Sequence, residues 1–232
     1  MWRIVLSGHD FDLETLAEQF AAGDPRVVKD HDRYLLESAV FTDLASNHVE
    51  MLSRAKTMLA QINGAALLAS SSHRPVTASG QIVGPDKREH AVVVVDSIEV
   101  RSKVSAVVVT VGDQQPLPPP APPGQVALAT AAGNADAEAA LRLLATGPFD
   151  WVNLYRILDF VRHAKGGIEG IVTSGYATKR ELNRFTHTAN SHDATGDDSR
   201  HGALNHQPPK DPMTLEEART LIRSVVKQWL AP

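Results

Sequence analysis

The chain has 232 residues, 43% hydrophobic and 22% charged, a balance that lets most of it bury enough surface to offset its chain entropy. It contains no cysteine, which excludes disulfide scaffolds, thiolate metal sites and a cysteine nucleophile. A formal net charge of −4 argues against a surface that grips nucleic acid everywhere by counterion release, so no DNA is expected and RNA is confined to a local cleft.

The opening run from Trp2 to Leu6 is too short for a signal peptide, and stretches such as Ala91 to Val95 fall far short of the roughly 20 apolar residues of a membrane span. A cytoplasmic protein without membrane contact is expected.

In chain order, a first strand is expected over Arg3 to Leu6. Asp12 then caps a helix carrying Leu13, Leu16, Ala17 and Phe20, stopped by Gly23 and Pro25. Strands are expected at Arg26 to Lys29 and Arg33 to Ser38. Asn47 and Glu50 form a capping pair for a helix with Val49, Leu52, Leu59 and Ile62 on one face, ended by Asn63-Gly64. The valine-rich segments Ala66 to Ser70, Val76 to Val83, His90 to Arg101 and Lys103 to Val111 read as further strands.

Six prolines between Pro116 and Pro123 fix φ and remove backbone donors, which predicts an extended spacer or a docking segment for an aromatic-lined groove. After it the period changes from two to 3.6. Helices are expected over Asp136 to Ala145; from Asp150 through Trp151, Leu154, Tyr155, Leu158 and Val161 to Gly166; from the capping box Thr178/Glu181; and from a second box, Thr214/Glu217, to Trp229. The fold class is therefore α+β, with N-terminal helices on a mostly antiparallel sheet (1–111), a Pro/Ala linker (112–133) and a C-terminal four-helix bundle (134–232).

Between the last two helices, Ser191 to Pro212 has no periodic pattern, and loops of that length are commonly functional. Around it lie His187, His192, His201 and His206, with Asp193, Asp197, Asp198, Arg184 and Arg200. Histidine can move a proton near neutrality and arginine can stabilise charge on phosphate, so Arg200, His201 and His206 are candidate catalytic groups. Arg184, His187, Asn190 and Asp197 are candidate binding residues. Both Arg200/His206 and Arg156/His163 fit a loose arginine-x(4–6)-histidine spacing. The structural alternative is a clasp in which the arginines satisfy carbonyls and carboxylates of their own chain. A metal held by His187, His192, Asp193 and His201 is a third reading, but paired histidines on one helical turn are missing, and no metal or cofactor is expected. The aromatic residues Trp151, Tyr155, Phe160, Phe185 and Trp229 read as core rather than as base-stacking platforms.

The run Trp151-x-x-Leu154-Tyr155-x-Ile157, then Arg184-Phe185-Thr186-x-x-Ala189-Asn190, Gly196-Asp197-x-x-Arg200-His201 and Pro212-Met213-Thr214-Leu215-x-Glu217-Ala218 resembles a bacterial two-domain family with a HEPN-like C-terminal helical domain. The resemblance implies antiphage defence or mobile-element biology, with a protein partner or homodimer. Two functions are open. One is a non-catalytic binding or regulatory protein; the other is a metal-independent ribonuclease using Arg200 and His201 or His206. Adjacent Arg200 and His201 depart from the family's usual catalytic spacing.

Overall fold

The structure, a computed structural model, describes residues 1–91, 121–200 and 209–231. The chain is α+β, and among the described residues it has a five-stranded sheet and ten α-helices. Two compact units divide it: 1–56 with 76–122, and 57–75 with 123–232.

The first unit carries β1 (Arg3–Ser7), α1 (Asp10–Gln19), β2 (Arg26–Asp30), β3 (Arg33–Glu37), α2 (Val40–Asp43), the start of α3 (His48–Ala69), β4 (Thr77–Val83) and β5 (Glu89–Ala91). The strands lie in the order β2-β3-β1-β4-β5, and every pair is antiparallel. Register puts Ile4 opposite Leu36 and Ile82, and all three are fully buried. Leu16, Phe20, Phe41 and Met51, from α1, its C-cap, α2 and α3, are likewise sealed. Alternation along the strands gives the second sheet face a smaller cluster, Val5, Leu35 and Val83, with Val28 packed against it.

Three local expectations change. His9, not Asp12, is the N-cap of α1, because its imidazole accepts from the Phe11 N–H, and Asp12 is buried one turn into the helix. Asn47 does cap α3, accepting from the Glu50 N–H at 3.1 Å, but the helix runs past Asn63-Gly64 to Ala69. The strand expected at Ala66 to Ser70 is thus helix. Gly64 does not end α3 but allows a close approach: a Cβ there would run into the Leu141 carbonyl oxygen. Of the valine-rich strands after β4, only β5 is described; most of His90 to Arg101, Lys103 to Val111 and the prolines through Pro120 lie outside the described residues.

The second unit holds the end of α3, then α4 (Pro123–Ala131), α5 (Ala135–Thr146), α6 (Trp151–Lys165), α7 (Ile168–Thr173), α8 (Lys179–Asn190), α9 (His192–Thr195) and α10 (Leu215–Trp229). Helix α4 replaces spacer expected at 123–131: Pro123 takes the first helical position, where its missing N–H costs nothing, and the alanines that follow favour helix. Helix α6 packs against α5, α7, α8 and α10. Its Leu154, Ile157, Leu158 and Val161 are buried, as are Leu182 and Phe185 of α8 and Ile222, Val225 and Val226 of α10. Trp151 and Tyr155 each bring their rings to 6.0 Å from that of Phe185, as core positions should. Asp150 caps α6, and Gly166 closes it in the left-handed conformation (φ 72°). Both capping boxes are formed. No helix among the described residues is long and apolar enough to cross a membrane.

Candidate functional site

The turn that carries Arg200 is built by the end of α8. Ser191 caps the helix backbone, α9 and a 3-10 turn (Gly196–Asp198) follow, and the Arg200 N–H returns to the Ala189 carbonyl at 2.9 Å. That return sets the Arg200 side chain over α6. Its guanidinium carbon lies 3.9 Å from the centroid of Tyr155, and Nη2 lies 3.7 Å from Asp159 Oδ2. The other Asp159 oxygen accepts from Arg162 Nη1 at 2.9 Å. One carboxylate thus serves two arginines, and the Arg200 side chain keeps 34% of its surface exposed.

Residues spaced by three, four and seven along a helix share a face, so Tyr155, Asp159 and Arg162 form one stripe of α6 and Arg156 and His163 the next. Arg156 donates to Asn153 Oδ1. His163 Nδ1 lies 2.6 Å from Asp136 Oδ2 of α5, and this hydrogen bond raises the imidazole above its ordinary pKa. The pair Arg156/His163 therefore ends in separate contacts rather than in one acid-base unit.

Arg184 faces its own chain. It donates to the carbonyls of Asp211 and Pro212 at 2.9 and 3.1 Å and forks onto both oxygens of Glu217 at 3.0 and 3.2 Å. Glu217 also accepts from the Thr214 N–H, which together with Arg184 holds its carboxyl at about 2. This clasp fixes the chain entering α10 onto α8. Beside it opens a cavity of about 500 Å³ lined by Tyr176, Glu181, Met213, Glu216 and Leu221 among others.

Other expected site residues are scattered. His187 is exposed on the last turn of α8. Asn190 Oδ1 is buried with no hydrogen-bond partner among the described residues. Asp197 is fully exposed, 3.5 Å from His192 Nε2. His201 and His206 lie outside the described residues. Among the described residues, no three histidine, aspartate or glutamate side chains converge as metal ligands. Tyr155 and Asp159, which the sequence reading did not join to Arg200, are its partners. Their spacing of four on a helix places them together, but nothing local ties them to a residue some forty positions on.

No protein-family model matches the chain, and neither a curated protein nor a solved structure does.

Proposed function

We propose that the protein is a non-catalytic binding or regulatory protein of the bacterial cytoplasm, acting with a protein partner or as a homodimer. One observation carries this reading: the Arg200 guanidinium lies 3.7 Å from the Asp159 carboxylate and is stacked on Tyr155. A cation so engaged orients a turn of its own chain, and an incoming phosphate would have to displace a carboxylate shared with Arg162. Arg184 is spent in the same way on Glu217 and two carbonyls. In this reading α5, α6, α8 and α10 serve as a four-helix bundle that displays the α9 turn, supported by the central packing of α6. A place in defence or mobile-element biology draws on the motif resemblance.

The second reading, a metal-independent ribonuclease, is favoured by the partial exposure of Arg200 beside Arg162, with His201 next in sequence as its acid-base group. Purified chain and the Arg200→Ala His201→Ala variant, each incubated with total RNA, separate the two. The binding reading expects intact RNA in both samples and a lower melting temperature for the variant. RNA cleaved by the parent chain and spared by the variant would overturn it.

A further inference from the structure

One buried row of the sheet leads to a histidine. Register sets Leu36 against Ile4, Ile4 against Ile82 and Ile82 against His90, so His90 of β5 continues on the face that Ile4 and Ile82 seal. Trp2 stands two residues before Ile4, and His48 opens α3. Their rings meet although they come from positions 2, 48 and 90. The centroids lie 5.1 Å apart for Trp2 and His48, 5.4 Å for Trp2 and His90, and 4.6 Å for the two imidazoles. All three residues are half-buried, and the imidazole planes cross at 58° rather than stack.

We propose that His48 and His90 form a two-imidazole site for a first-row transition-metal ion, Cu²⁺ above the others, with Trp2 as its apolar wall. At metal–nitrogen bonds of about 2.0–2.1 Å and bond angles of about 90–110°, two imidazoles on one ion have ring centres about 4.5–5.2 Å apart. The observed 4.6 Å falls in that range. A linear two-coordinate ion would need about 6 Å, so the spacing fits a bent arrangement whose other positions are open to water. Bringing one nitrogen of each ring to a common point takes rotation about χ2, a broad torsion in histidine. Imidazole donors without thiolate suit copper, nickel and zinc, and copper leads that order of affinity.

His48 stands at the positive end of the α3 dipole, which opposes a cation, and Glu50 in the same turn supplies compensating charge. Two side-chain donors are fewer than the three or four that catalytic and structural ions take, so the ion exchanges with solution. Trp2 shields one side of the pair and places a fluorophore beside both imidazoles. This proposal does not depend on how the helical unit is read.

The absence of cysteine leaves no thiol to compete for the ion. Sub-stoichiometric Cu²⁺ added to the full chain should broaden the imidazole proton resonances of His48 and His90, assigned through bonds, before those of the other histidines. Broadening that begins elsewhere, or falls equally on all ten, means an adventitious ion only and overturns the proposal. Calorimetric titration with Cu²⁺ should show affinity falling at least about tenfold in His48→Gln and equally in His90→Gln, because chelation needs both rings. His31→Gln, at an imidazole 93% exposed, should leave it unchanged. A single variant that keeps the parent affinity overturns the pairing. Trp2→Phe should retain binding and lose the copper-dependent fall in tryptophan emission. If either glutamine variant loses its circular dichroism, the order of broadening in the parent chain still decides.

Discussion

The guanidinium carbon of Arg200 sits 3.9 Å from the centroid of the Tyr155 ring, which joins the turn after α8 to the buried face of α6. A ring that reads as core is core, at 6% exposure, and is also the platform for a cation. Such contacts are worth about 0.5–1 kcal/mol at partly exposed sites. Tyr155→Leu should lower stability by that amount beyond its change in packing, whereas Tyr155→Phe, which keeps the ring, should leave the contact intact. A double-mutant cycle with Arg200→Ala, read by urea unfolding, should show non-additivity of about the same size. An additive cycle would mean the stacking contributes nothing.

Gly64 predicts a larger effect. Because a Cβ would collide with the backbone carbonyl of Leu141, α3 or α5 must move to admit alanine. Gly64→Ala should cost about 1–3 kcal/mol as overpacking, despite alanine's better helix propensity, which is worth about 1 kcal/mol in the opposite direction. Thermal melting of the two proteins checks the sign.

Glu217 makes α10 acid-sensitive. Its carboxyl falls from the usual 4.5 to about 2, first through the Thr214 backbone N–H and then through Arg184. A depressed carboxylate stabilises the fold above its unfolded pKa, and that contribution is lost as pH falls from about 4.5 toward 2. Arg184→Met should raise the Glu217 midpoint in a carbon-detected titration but leave it below the ordinary value, because Thr214 still donates. A midpoint unmoved by the substitution would exclude Arg184 from the cause.

His163 works in the opposite direction. Its pKa is raised by the hydrogen bond to Asp136, so the α5–α6 link it makes is fully present below the unfolded histidine value. That contribution is lost as pH rises through the folded one. Asp136→Asn should lower the His163 titration midpoint and remove this pH dependence, and proton NMR of the imidazole reads both.

What could be read from the residues was whatever local chemistry decides. The capping boxes Thr178/Glu181 and Thr214/Glu217 close within four positions, and both form. Asn63-Gly64 misleads because a turn-forming pair at the end of an apolar stripe looks like a stop, while the real use of Gly64 lies across the packing interface at Leu141. The alanines after Pro123 misleadingly extend the proline spacer, because they carry no polar alternation to betray a helix. Arg200 could be singled out from its neighbours in sequence. Its partners could not, since Tyr155 and Asp159 reach it only once α6 and α8 have packed.

Helix α3 supplies residues up to Lys56 to one unit and from Thr57 to the other. Expression of 123–232 as an isolated fragment would therefore leave out the segment 57–75 of the same compact unit, including the turn at Gly64 that lies against Leu141, so the proline stretch is a poor place to cut this gene. A fragment starting near His48 carries the missing turns with it.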